Sequence, residues 1–175
     1  MSKFIKSLAI IFLLLFALNV GAEEFEYSDD IEAKEAMRMV EKEGALIIDV
    51  RDPVEFLYAG HAVGSVNIPI FFVRIDIPPI QTRLKVAEVE SKKGKAIHVK
   101  KTYRPMMDEN EKFVEEVKKA VGGNLEKPVI LMCRSGERSV YAANKLAKNG
   151  FENVYNLEGG FIFDWRAEGL PSGGE

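Results

Sequence analysis

The chain has 175 residues, 47% of them apolar and 29% charged, with a formal net charge of −3, which describes one ordinary domain with enough apolar residues for a core. The acidic balance argues against nucleic acid as a partner, because phosphate binding needs a basic face. One cysteine and two histidines far apart, His61 and His98, exclude a disulfide framework, a Cys-x-x-Cys redox pair, a multi-thiolate metal site and a His-Glu-x-x-His cluster.

Residues 1–22 read as a segment apart from the fold. Lys3 and Lys6 form a basic start, Leu8 to Val20 is an apolar run broken only by Asn19, and Val20-Gly21-Ala22 supplies the small residues of a signal-peptidase site. The run is shorter than the roughly 20 apolar residues of a spanning helix. The expectation is a cleaved secretory signal, a domain over 23–175, and a periplasmic or secreted destination; an uncleaved anchor is the alternative. In such oxidising surroundings a lone cysteine is either a reactive thiol, an intermolecular bridge or a small buried hydrophobe.

Strands and helices then alternate. Ser28-Asp29-Asp30 has the composition of a helix cap, predicting a helix to about Lys42 with Ile31, Ala36, Met39 and Val40 inward. Ala45 to Val50 is an apolar run of the length of a fully buried strand. Asp52 as N-cap, Pro53 in the first turn and Glu55 in a capping-box position start a second helix that Gly60 stops. Ser65 to Ile68 is the next strand, closed by Pro69. Asp108 and Glu111 open a helix with Phe113, Val114, Val117, Ala120 and Val121 on one face, ended by Gly122-Gly123. Pro128 to Met132 is a third buried strand leading into Cys133. A helix from Ser139 turns Val140, Ala143, Leu146 and Ala147 inward and ends at Gly150. Val154 to Leu157 is a fourth strand, and a last helical turn carries Phe161 and Trp165. This pattern predicts an α/β domain, a mainly parallel sheet flanked by helices.

Residues 71–107 interrupt the alternation and are too long for a bare loop. Between Arg74 and Arg104 lie nine Lys and Arg against three Asp and Glu, a basic insert in an acidic protein. Arg83–Val89 and Lys95–Thr102 are the predicted arms of a hairpin turning at Ser91 to Gly94. Its cations are either a solvated face or a field that draws anions.

The chemistry centres on Cys133-Arg134-Ser135-Gly136-Glu137-Arg138, between a buried strand and a helix. A loop there curls so that backbone N–H groups converge with the helix N-terminus behind them, and an anion or a thiolate at that point is stabilised by both. Arg134 and Arg138 add cationic donors. Strand C-termini are also where ligands bind in open α/β sheets. Asp49, at a strand end, either orients this loop or makes a structural hydrogen bond, and Arg51 and Glu55 stand four apart, in pairing distance on a helix. His61 reads as structural, and Phe161, Phe163 and Trp165 as core.

Four blocks resemble the rhodanese (sulfurtransferase) family over most of residues 28–171. They are Leu46-Ile-Ile-Asp-Val-Arg51 with Glu55-Phe56; Gly60-His61 with Gly64 and Asn67-Ile-Pro69; Cys133 to Arg138; and Asn156-Leu-Glu-Gly-Gly160 with Trp165 and Gly169-Leu-Pro171. The resemblance implies a single rhodanese-like domain in which Cys133 accepts a sulfane sulfur as a persulfide. Arg134, Ser135, Gly136, Glu137 and Arg138 would then hold the substrate, with Asp49 and Arg51 in support. The implied donors are thiosulfate or polysulfide, and the acceptor a thiol, cyanide or a periplasmic sulfur-accepting protein; no metal or organic cofactor is implied. Cysteine-dependent phosphatases that resemble this family place five residues between cysteine and arginine. Here that arginine position is Ser139, and the tighter loop favours sulfur transfer over phosphatase or arsenate-reductase chemistry. A non-catalytic sulfur carrier is the other alternative.

Overall fold

The computed structural model describes residues 25–74, 89–91, 94–96 and 106–174, with the backbone alone for the two short internal runs. The expected signal segment, 1–22, lies outside the described residues. No helix among those described is long and apolar enough to cross a membrane.

Five parallel strands form the central sheet: β1 (Asp29–Ile31), β2 (Leu46–Asp49), β4 (Val66–Asn67), β9 (Val129–Met132) and β10 (Val154–Leu157), in the order β1-β10-β9-β2-β4. The sheet is covered on both faces, which is why its central strands read as continuous apolar runs. Alternate residues divide between the two layers. Ile48, Val129, Leu131 and Val154 pack with Phe113 and Val117 of α3 (Phe113–Ala120) and with Ala142, Ala143 and Leu146 of α4 (Glu137–Ala147). Ile47, Ile130, Met132 and Leu157 pack with Ala33, Ala36 and Met39 of α1 (Ala33–Glu43) and with Phe161 and Trp165 of a π-helical turn (Phe161–Trp165). A fourth helix, α2 (Pro53–Tyr58), buries none of its residues against either layer.

Asp52 caps α2 as expected, accepting from the Val54 amide at 2.9 Å, with Pro53 at the first helical position. The start of the chain differs from expectation. Asp29–Ile31 is an edge strand on β10, and the Ser28 hydroxyl serves that ladder by accepting from the Val154 amide at 3.0 Å rather than capping a helix. The first amide of α1 is satisfied from across the molecule, Ala33 N donating to Asp164 Oδ2 at 2.8 Å. Asp108 likewise belongs to a strand, β8 (Met107–Glu109); Asn110 shapes the turn that follows by accepting from the Lys112 amide at 3.0 Å, and the helix begins at Phe113 with no side-chain cap. Phe163, expected in the core, is 65% exposed, because the π-turn directs only Phe161 and Trp165 inward.

The insert has a paired root. β5 (Phe71–Val73) and β8 run antiparallel, Phe71 opposite Glu109 and Val73 opposite Met107, and Arg74 N donates to Met106 O at 2.8 Å. This stalk is tied to its surroundings by Asp52 Oδ2, which accepts from Val73 N at 2.9 Å, and by α4, where Tyr141 and Lys145 both donate to Glu109. Farther out, β6 (Val89–Ser91) and β7 (Gly94–Ala96) pair antiparallel, so the expected hairpin turns where its sequence predicted. The remainder of its predicted arms lies outside the described residues. A last short pair, β11 (Ser172–Gly173) on β3 (His61–Ala62), closes the C-terminus over α2.

Candidate active site

Asp49 of β2 is opposite Met132 of β9, so the segments that follow them, Val50-Arg51 and Cys133, leave the sheet side by side. Cys133 is 1% exposed and packs with the α3/α4 core. Its sulfur has two donors within reach: the Gly136 amide at 3.2 Å and the Ser139 hydroxyl at 3.4 Å. That hydroxyl also lies 2.8 Å from Gly136 O, and with one proton it donates to the carbonyl or the sulfur. Ser139 thus sits on the sulfur, at the position an arginine would take in the longer phosphatase loop. The amides of Arg134, Ser135, Glu137 and Arg138 donate to no acceptor among the described residues, leaving a cluster of unspent donors.

The loop is held from behind by residues 158–162. Phe161 N donates to Cys133 O at 2.8 Å and Ile162 N to Arg134 O at 3.2 Å. Two glycines make this approach possible. A Cβ on Gly136 (φ +96) would stand 2.2 Å from Glu158 O, and one on Gly160 (φ +60) would stand 2.7 Å from Arg134 C, Cys133 O and Ser135 N. Both are also in the left-handed region that other residues avoid. The Glu158-Gly-Gly block therefore belongs to the site without touching the sulfur.

The charged residues pair differently from the sequence expectation. Arg51 and Glu55 do not pair with each other. Arg51, 1% exposed, donates through Nε and Nη2 to Asp49 at 2.6–3.0 Å and to Gly60 O at 2.7 Å, and its guanidinium lies 4.6 Å from the Phe161 ring centroid. The two brace the floor of the site, and Asp49 gives its side chain to Arg51 rather than to the cysteine loop. Asn67, on β4, fixes the same turn by donating to Asp49 O and Arg51 O at 2.9 and 2.8 Å.

Glu55 reaches across to the cysteine loop, accepting from Arg138 Nη1 at 2.5 Å and Nη2 at 2.9 Å. Burial works against the Glu55 charge, but Arg138 outweighs it and holds the carboxyl below its ordinary range. Burial also disfavours the Arg138 cation, which Glu55, with further help from the charges of Cys133 and Asp49, keeps firmly protonated. Arg138 is thus half-buried and already paired. Arg134, Ser135 and Glu137 are exposed on the loop's outer side, and Arg134 has no acidic partner among the described residues. His61 is structural, as expected: its ring stacks on Phe56 at 3.9 Å and Nδ1 lies 3.1 Å from Phe56 O. Among the described residues no group of three or more His, Cys, Asp and Glu is placed to hold a metal.

Sequence reasoning missed Ser139 as a neighbour of the sulfur and Glu55 as a partner of the loop. The first had a signal in its spacing from Cys133; the second, 83 residues from its partner, had none.

Residues 32–168 match the family model described as the rhodanese-like domain. A chloroplastic rhodanese-like domain-containing protein 14 of Arabidopsis thaliana is 29% identical over 157 residues, covering 81% of this chain and 63% of its own. The chain thus spans less than two thirds of that relative. The thiosulfate sulfurtransferase GlpE of Pseudomonas putida is 26% identical over 137 residues, covering 78% of this chain and 84% of its own. Among solved structures, the polysulfide-sulfur transferase homodimer of Wolinella succinogenes has a TM-score of 0.54 at 23% identity, covering 94% of this chain and 90% of its own, a likeness of fold.

Proposed function

The chain belongs to the rhodanese-like domain family, and from that premise we propose that it is a sulfurtransferase carrying sulfane sulfur on Cys133. In this reading the Cys133 thiolate attacks the outer sulfur of thiosulfate or polysulfide. A new S–S bond forms as the donor's S–S bond breaks, and sulfite or a shortened polysulfide leaves with the electron pair. A thiol or cyanide then takes the outer sulfur and returns the thiolate. The carrying observation is the setting of Sγ: the Gly136 amide at 3.2 Å and the Ser139 hydroxyl at 3.4 Å, on a loop whose other amides are unspent. These donors suit an anionic sulfur and cost no reorganisation when the persulfide charge arrives. The sulfurtransferase names among the relatives support the same class of chemistry.

The basic start and apolar run of residues 1–22 support export, and we place the working protein in the periplasm or outside the cell. Exposed there to small sulfur anions, it would hand sulfur to a thiol or to a protein acceptor.

Intact mass spectrometry tests the reading. After incubation with a sulfane donor the protein should gain the mass of one sulfur atom, lost again on adding cyanide. Cys133→Ser should gain none and turn over no donor. A serine variant that still transfers sulfur refutes the covalent path, and a native protein that loads but never turns over with small acceptors is a carrier.

A further inference from the structure

We infer that Glu55 is a specificity-determining residue that, by neutralising Arg138, turns the Cys133 site away from doubly charged donors and toward singly charged or neutral organic persulfides. The inference rests on the sulfur-transfer reading and deepens it.

The argument is one of charge placement. Two arginines stand on the loop, a composition that alone reads as a cradle for a dianion. The structure removes one of them from that role. Arg138 presents two nitrogens to the two carboxylate oxygens of Glu55, a fork-to-fork pair that uses the geometry with which a guanidinium would grasp an incoming oxyanion. The other cation near the site, Arg51, is buried against Asp49. That leaves Arg134 as the free cation of the loop among the described residues, and it shares the rim with the exposed carboxylates of Glu137 and Glu158. Among the described residues the rim therefore carries no net positive charge to attract thiosulfate or to hold the departing sulfite dianion.

An organic persulfide makes smaller demands. When the Cys133 thiolate attacks the terminal sulfur of R–S–SH, the new Sγ–S bond replaces the broken S–S bond, and R–S⁻ leaves with the electron pair. No oxidant or reductant is consumed. One negative charge enters with the thiolate and one departs on the leaving group. The loop amides and Ser139 then hold the bound persulfide, and no second cation is needed.

The pair is tested by two substitutions that break it in opposite senses. Glu55→Gln frees a cation beside Cys133, whereas Arg138→Gln removes that cation. The measurement is kcat/KM for thiosulfate divided by kcat/KM for the hydropersulfide of 2-mercaptoethanol, an uncharged thiol, at low and high salt. Glu55→Gln should raise the ratio about tenfold at low salt, as one unmatched charge at close range does, and the rise should shrink as salt is added. Arg138→Gln should not raise it, and Glu55→Asp, which keeps the charge, should hold the ratio near the native value. A pair that only shapes the loop would move both glutamine variants alike, and equal ratios in the two overturn the inference. A native protein that gains sulfur from neither donor overturns the sulfur-transfer reading with it, while sulfur loading with an unmoved ratio overturns the inference alone.

Discussion

Replacing Gly160 by alanine separates two costs that one glycine hides. The first is conformational: at φ +60 and ψ −160 the backbone is in a region essentially reserved to glycine, and an L-residue there is disfavoured by about 1–3 kcal/mol. The second is steric, because the new Cβ would stand 2.7 Å from three backbone atoms of the cysteine loop, well inside ordinary contact. Backbone on both sides cannot swing away as a side-chain tip does, so the loop and the π-turn must part. Parting them weakens the bonds from Phe161 N to Cys133 O and from Ile162 N to Arg134 O. Each is worth about 1 kcal/mol net, and a buried carbonyl left unpaired adds about 1–3 kcal/mol. The whole effect is about 4–8 kcal/mol, or a fall in Tm of at least about 10 °C for a domain of this size. Gly44 is the reference for a positive φ without crowding: at φ +68 and ψ 29 it lies in the milder αL region, and nothing lies within 4 Å of its added Cβ. Gly44→Ala should cost about 1 kcal/mol. Denaturant unfolding followed through Trp165, the sole tryptophan, measures both, and mass spectrometry reads the rate of sulfur loading at Cys133. Gly160→Ala should also load more slowly, because the loop carrying the donors has moved, whereas Gly44→Ala should not. Equal losses of stability in the two variants would refute the argument from close approach.

Two further perturbations follow from groups already described. Arg51→Met strands the Asp49 carboxylate in the core and should cost about 3–5 kcal/mol, with part recovered by adding Asp49→Leu; a loss of unfolding free energy below about 1 kcal/mol in denaturant titration counts against the brace. Burial, the Tyr27 hydrogen bond to Asp30 and the charges of Asp30 and Asp29 push the Tyr27 phenol up to about 12. The folded state therefore holds that proton more tightly than the unfolded chain, and its contribution to stability is complete below about pH 10 and lost as pH rises toward 12. Tyr27→Phe should remove this contribution, and phenolate absorbance of the variant should lack a group that ionises near 12.

The sheet was legible where one local cause decided the structure. Leu46–Asp49, Val129–Met132 and Val154–Leu157 are apolar because both faces are covered, and a run of that kind has few other readings. Asp52-Pro53 announced its helix because the cap bond is made within two residues. Asp29–Ile31 was not legible, since a strand of such composition forms only because β10 offers its free edge. Cys133 stood out through its setting between strand and helix. Its neighbourhood did not, because Glu55, Asn67 and Gly160 arrive from other turns, and nothing local distinguishes a glutamate that caps a helix from one that crosses to an arginine. The glycines of residues 159–160 were visible as a motif, but their reason, the nearness of two backbones, exists only in three dimensions.

The β5–β8 stalk gives the basic insert a closed root. Val73 and Met107 face each other across one rung of an antiparallel ladder, with Arg74 N bonded to Met106 O just beyond, so the chain leaves and re-enters the domain at neighbouring points. A ladder of that kind is closed as well by a two-residue turn as by a long excursion, and loop-closure entropy grows only slowly with the length between. The same root is pinned to the Cys133 end of the sheet through Asp52 and Glu109, whatever is grafted above it. Trimming the excursion to a tight hairpin therefore preserves the domain's closure. A segment grafted at this port starts and ends on the side of the fold that carries Cys133.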